Sequence, residues 1–224
     1  MIKICVSGSE GKMGSRIIDL AKGDHALEVA AGFDVGGNAQ LGIAACECLI
    51  DFTSPKATME HLALCEKLNK PIVIGTTGLS EDEKSRIKEA SSHIPIVLSA
   101  NMSTGVNLLF KLIEEASKVL GKEYEVNIVE AHHTEKKDAP SGTAKELAKI
   151  IKDVKGSIDI PIDSVREGEI VGEHTVTFES DVDLLEITHS AKTRDIFAKG
   201  ALKAAKFVAG KKSGLFSMKD VLAL

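Results

Sequence analysis

Short apolar runs, each followed by a stretch with apolar residues three and four apart, fill the first hundred positions of the chain. In "IKICVSG" Ile2, Ile4 and Val6 alternate and stop at a glycine, which predicts a short buried strand ending in a turn. "GKMGSRIIDLAKG" then places Met13, Ile17, Leu20 and Ala21 at helical spacing, closed by Gly23. The order continues with a strand in "LEVAAGFD", a strand in "CECLIDFT" and a helix over 55–69. A strand in "KPIVIGTTG", a charged helix over 80–92 and a strand in "IPIVLSAN" complete it. Strands alternating with helices at these lengths predict a parallel, doubly wound α/β sheet.

The pattern changes after Asn101. A helix over 104–120 carries Val106, Leu109, Phe110, Ile113 and Ala116 on one face. In "EYEVNIVEAHH" Val126, Ile128 and Glu130 fall on one side of a strand. After a helix beginning near Thr143, "EIVGEHTVTFES" and "DLLEITHSA" read as two strands joined at Ser180–Asp183. So short a turn makes them antiparallel, and the middle of the chain reads as an open α+β layer. The remainder reads as helical, with Phe197, Ala201, Ala204, Ala205 and Val208 as its apolar stripe.

Composition narrows the function. With 224 residues, 43% hydrophobic and 27% charged, the chain is long enough for one large domain or two small ones. A net charge of −5, no Trp and one Tyr argue against nucleic-acid binding. No charged leader precedes an apolar core at the N-terminus and no run of about 18 apolar residues occurs, so neither a secretory signal nor a membrane span is expected. Cys5, Cys46, Cys48 and Cys65 lack zinc-site spacing and read as buried thiols of a reducing cytoplasm.

Two stretches carry chemistry. Gly8, Gly11 and Gly14 form a relaxed glycine-rich loop between the first strand and first helix, where a backbone free of Cβ atoms can approach a pyrophosphate. Asp34 follows 20 residues after Gly14, placed to accept hydrogen bonds from a ribose. Val35 beside it offers no cation for a 2′-phosphate, which favours NADH, although Lys12 or Lys56 can still reach one. "GTTG" at Gly75–Gly78 and "SANMS" at Ser99–Ser103 end later strands on the ligand-binding edge of such a sheet.

The second stretch, "EAHHTEKKDAPSGTA" over 130–144, crowds titratable groups before a helix. The cap of that helix has two readings: a lead-in through Asp138–Ser141, or a capping box of Thr143 with Glu146. The amides of Gly142 and Thr143 then face out of the helix N-terminus, where an anion is favoured. Adjacent His132 and His133 point to opposite faces of a strand and do not share a metal, so no metal is expected. His132 suits proton transfer near neutral pH, and Lys136 supplies a permanent donor. Taken locally, a solvated loop explains the stretch equally well.

The blocks "GxxGKMG", "IDFTSP", "VIGTTG", "SANMSTGVN", "EAHHTEKKDAPSGTA", "REGEIVGEHTVTF", "LEITHSA" and "KSGLFSMKDVL" together resemble the 4-hydroxy-tetrahydrodipicolinate (dihydrodipicolinate) reductase family over nearly the whole length. The resemblance implies a Rossmann-like domain over 1–103 plus 192–224, with an inserted α+β substrate and oligomerisation domain over 104–191 bearing an open, mostly antiparallel sheet. It implies a cytoplasmic homotetramer that reduces its dicarboxylate substrate with NADH or NADPH in lysine and diaminopimelate biosynthesis. By position, Gly8, Ser9, Glu10, Gly11, Lys12, Met13, Asp34, Gly75, Thr76, Thr77, Ser99, Ala100, Asn101 and Met102 would bind the cofactor. His132 and Lys136 would be catalytic, and His133, Ser141, Gly142 and Thr143 would bind substrate; Arg194 falls in a matching block without an assigned role. The chain departs from the family in a shorter segment between Asp34 and Asp51 and in Val35, where some members carry a basic residue. The competing expectations are another nicotinamide-dependent oxidoreductase acting on a small amino or dicarboxylic acid, and a dinucleotide sensor without chemistry.

Overall fold

The computed structural model describes residues Met1–Leu224. In chain order it contains β1 (Ile2–Ser7), α1 (Lys12–Lys22), β2 (Leu27–Phe33), α2 (Ala39–Ala44), β3 (Cys48–Asp51) and α3 (Pro55–Leu68). There follow β4 (Ile72–Ile74), α4 (Glu81–Ala90), β5 (Pro95–Leu98), α5 (Thr104–Val119), β6 (Glu125–His132) and α6 (Gly142–Lys155). The last elements are β7 (Ile162–Arg166), β8 (Glu173–Glu179), β9 (Leu184–Ser190), α7 (Asp195–Val208), β10 (Gly214–Phe216) and α8 (Met218–Leu222). The chain divides into two compact units, Met1–Thr104 with Asp195–Leu224, and Gly105–Arg194.

The first unit is a Rossmann-like, doubly wound sheet of six strands in the order β10-β5-β4-β3-β1-β2, every pair parallel. Both faces are covered, which explains why its strands are apolar at consecutive positions rather than alternating. Ile4 and Val6 face the layer containing Ile17, Ala201 and Ala205, while Cys5 faces the layer containing Phe33, Leu62 and Cys65. All four cysteines are buried free thiols. Strand order reverses direction between β1 and β3, so the carboxyl ends of these strands form the crevice where such sheets bind ligands.

The glycine loop is fixed at that crevice by sterics. Gly8 has φ +70°, and a Cβ on Gly14 would lie 2.0 Å from the Gly8 carbonyl oxygen. No side chain fits there, so α1 starts directly against the end of β1.

The second unit carries a four-stranded sheet in the order β7-β6-β8-β9, with β6–β7 parallel and the other pairs antiparallel. Its inner face presents Val126, Ile128, Val176 and Phe178 to α5 and α6, whose Phe110, Ile113, Leu147 and Ile151 complete the core. The parallel pair requires a crossover, and α6 supplies it. That connection brings the N-terminus of α6 to the carboxyl end of β6.

Several local expectations change. The C-terminal segment is not wholly helical: Gly214–Phe216 adds a parallel edge strand on β5. Helix α2 and strand β7 are additional elements: α2 has only six residues, and β7 carries the polar Asp163, Ser164 and Arg166 among its five. The cap of α6 is Ser141, whose hydroxyl accepts from the Ala144 amide at 3.2 Å; Thr143 is the second residue inside the helix. No helix is long and apolar enough to cross a membrane.

Candidate active site

In the first unit the end of β2 meets the glycine loop through main-chain bonds and one carboxylate bond. Gly8 N donates to Phe33 O at 3.0 Å, and Glu10 N donates to Asp34 Oδ2 at 2.8 Å. The Asp34 carboxylate therefore ties the loop to the end of β2, and its other oxygen accepts from the Val35 amide at 3.3 Å. A cavity of about 520 Å³ opens beside it, lined in part by Gly8, Gly11, Asp34, Thr53, Glu60 and His61. Neither lysine nor arginine lines it, so Lys12 and Lys56 stand outside. Ser9 and Glu10 line a neighbouring recess with Asp34.

Other proposed cofactor positions contribute differently. Thr76 is buried, and its hydroxyl accepts from Thr53 N at 3.1 Å and from the Thr58 hydroxyl at 2.9 Å. Gly75 gives way to the Phe52 ring, which a Cβ would meet at 2.3 Å. Met102 is a core side chain and Met13 packs against the same core, so a ligand would meet these two residues through the main chain. Ser99, Ala100, Asn101 and Thr77 do not line the cavity. A pair the pattern does not reveal lies beneath it: His61 Nδ1 bonds buried Asp51 at 2.8 Å, and the Thr53 hydroxyl donates to the same carboxylate at 2.6 Å.

In the second unit the crowded stretch folds around one buried carboxylate. Glu130 follows Val126 and Ile128 on the inner face of β6, and His132 follows Glu130. Glu130 Oε2 bonds His132 Nδ1, while Oε1 accepts from Arg166 at 2.8 Å and from the Ser141 amide at 3.2 Å. Parallel register places Arg166 opposite His132. Burial alone would raise the Glu130 carboxyl, but the bonds from Arg166 and His132 outweigh it and hold the group down at about 2. Burial lowers the His132 imidazole despite the carboxylate beside it, so the ring is neutral at neutral pH. His174 packs edge-on at 5.1 Å between centroids, and burial followed by repulsion from His132 pushes it down to about 4.

Lys136 Nζ donates to both oxygens of Asp138 at 2.8 Å, which makes Asp138 a partner of Lys136 rather than the passive loop residue its position suggests. The main chain of both is held by Arg166, which donates to Lys136 O at 3.3 Å and to Asp138 O at 2.5 Å. Ser141 is buried, with its hydroxyl shared between the Ala144 amide and His174 Nε2 at 3.2 Å. Its role here is to build the helix start, while Gly142 and Thr143 occupy the first turn. His133 is half-buried and stands within 3.5 Å of exposed Arg194. Glu130, His132 and His174 bring ligand-type atoms within 4.8 Å of one another, but the Arg166 guanidinium already occupies the carboxylate.

Family models for the dihydrodipicolinate reductase N-terminus and C-terminus match residues 2–102 and 105–222 respectively. The chain belongs to the dihydrodipicolinate reductase family. Among relatives in that family, the 4-hydroxy-tetrahydrodipicolinate reductase of Citrifermentans bemidjiense is 38% identical, with 100% of both chains covered. That of Dechloromonas aromatica is 41% identical, covering 99% of this chain and 98% of its own. The first alignment runs to 266 positions against 224 residues here, so that reductase carries segments that this chain lacks. The dipicolinate-bound dihydrodipicolinate reductase of Paenisporosarcina sp. TG-14 shares the fold at TM-score 0.88 and 23% identity, covering 99% of this chain and 100% of its own.

Proposed function

We propose that this chain reduces 4-hydroxy-tetrahydrodipicolinate to tetrahydrodipicolinate with a nicotinamide cofactor, in lysine and diaminopimelate biosynthesis in the cytoplasm. One observation carries the reading: Glu130 ties the proton-handling His132 to Ser141, the N-cap of α6, whose first turn is an anion seat. The amides of Gly142 and Thr143, with His133, hold a carboxylate of the substrate. Reduction of a conjugated imine leaves negative charge on the ring, and His132 or Lys136 neutralises it with a proton.

The first unit fits a dinucleotide because Gly8 and Gly11 line the cavity at the start of α1, and the close approach of Gly14 to the Gly8 carbonyl lets that helix begin directly against β1. Gly8–Met13 and Asp34 would hold the cofactor, with Gly75–Thr77 and Ser99–Met102 at the neighbouring strand ends. A bound nicotinamide supplies the hydride; the protein supplies position and protons. Asp34 and Glu60 in a cavity without lysine or arginine favour NADH over NADPH, since a 2′-phosphate would meet like charge.

The test is steady-state absorbance at the reduced-nicotinamide band. NADH is expected to be consumed only when the heterocycle is present and more efficiently than NADPH, with His132→Gln and Lys136→Ala severely impaired. Near-normal rates in both variants would sink the catalytic assignment.

A homotetramer assembled through the second unit is part of the same reading. The outer face of its sheet leaves Val129 and Val165 exposed beside the Thr175–Thr188 hydroxyl pair, a surface suited to burial against a copy. Sedimentation velocity is expected to give four subunits; a monomer at micromolar concentration refutes this.

A further inference from the structure

We propose that Glu130 is a positioning residue that holds His132 as the Nδ1–H tautomer, leaving Nε2 to exchange the catalytic proton, and that Arg166 keeps Glu130 in place for this task. The inference rests on His132 being the proton-handling residue. Glu130 has no exposed surface, and its two oxygens are divided between different duties. Oε2 engages His132 Nδ1; Oε1 receives the Arg166 guanidinium and the Ser141 amide. An ionised carboxylate can only accept, so the proton between the two residues belongs to Nδ1. The other ring nitrogen then carries the lone pair.

The surroundings of Nε2 agree. Gly172 lies on that side, and an added Cβ there would stand 3.0 Å from Nε2. The absence of a side chain there keeps the nitrogen approachable. A metal at Glu130, His132 and His174 is the weaker use of these groups, because it would place a second cation on the carboxylate that Arg166 neutralises. The charged and titratable groups facing His132 are Glu130 on its own strand, Arg166 on β7, His174 on β8 and Lys136 in the following loop. Of these only Glu130 favours the imidazolium. Removing it shifts the protonated ring, and the activity that depends on it, to lower pH.

Nitrogen-15 shifts of histidine-labelled enzyme read the tautomer directly. The wild type is expected to show a protonated Nδ1 and a pyridine-type Nε2 at His132; the reverse assignment overturns the proposal without any variant. Glu130→Gln is expected to lower kcat by about 100-fold with little change in KM, to move the acidic optimum downward, and to mix the tautomers. Glu130→Asp is expected to restore part of kcat and the wild-type pH profile. A Glu130→Gln enzyme with unchanged kcat, pH profile and tautomer refutes the positioning role. If His132→Gln itself is active while Glu130 still fixes the tautomer, the catalytic reading fails and the positioning geometry stands.

Discussion

At the residue scale the arrangement turns on a few side chains whose neighbours restrict what they can do. His132 is neutral and hydrogen-bonded on Nδ1, and in the proposed mechanism the proton is gained and lost at Nε2. Lys136 is steadied by Asp138 and by the Arg166 contact to its carbonyl. Loss of a positioned general acid costs about 10²–10⁴ in rate, and His132→Gln and Lys136→Ala are each expected in that range by kcat, with NADH binding unchanged. His132 and Lys136 were legible as candidates from their titratable groups, Gly142 and Thr143 from the helix start, and His133 from the family resemblance. Glu130, Arg166 and His174 were not, since one looks like another charge in a charged run and the others lie 36 and 44 residues after Glu130. The available signal was faint: Glu130 and His132 continue the two-residue period of an apolar strand face, as His174 does before Val176 and Phe178.

At the scale of elements, strong periods translated directly into structure. Helices α1, α5 and α7 carry apolar stripes that become their buried faces. Strand β7 had no such stripe and exists because its register with β6 satisfies a sheet edge, from Ile128–Ile162 to His132–Arg166. The start of α6 is the element on which the site depends. Ser141→Ala removes the hydroxyl that caps Ala144 and leaves His174 Nε2 without its protein partner. We expect a loss of about 1–3 kcal/mol in urea titration. Glu146→Ala, at the position the alternative capping box would use, is exposed and is expected to change stability by less than about 0.5 kcal/mol.

At the scale of the whole molecule, buried histidines make stability depend on pH. The folded-state value for His174 lies at about 4, below the unfolded reference of 6.5, because burial and His132 disfavour its cation. The unfolded chain therefore binds more protons between these values, so stability falls as pH drops from about 6.5 towards about 4. The contribution is at most about 3 kcal/mol, and burial of His132 and His189 acts in the same direction. Urea titrations at fixed protein concentration are expected to show that slope, and His174→Asn to flatten it; an unchanged slope would contradict the assignment.

The sequence by itself determined the alternation of strands and helices, the change in pattern after Asn101, and the two stretches where chemistry is concentrated. These are local quantities, set by residue period, by glycines at a turn and by a motif contiguous in the chain. Tertiary structure decided which charges share a site. A parallel crossover through α6 brings Arg166 beside His132, and antiparallel pairing brings His174 against the same ring. The burial that results turns Glu130 from a strand residue into the carboxylate that orients a histidine. No local pattern encodes this, because the desolvation and the partners that define its role come from β7, β8 and the helix start.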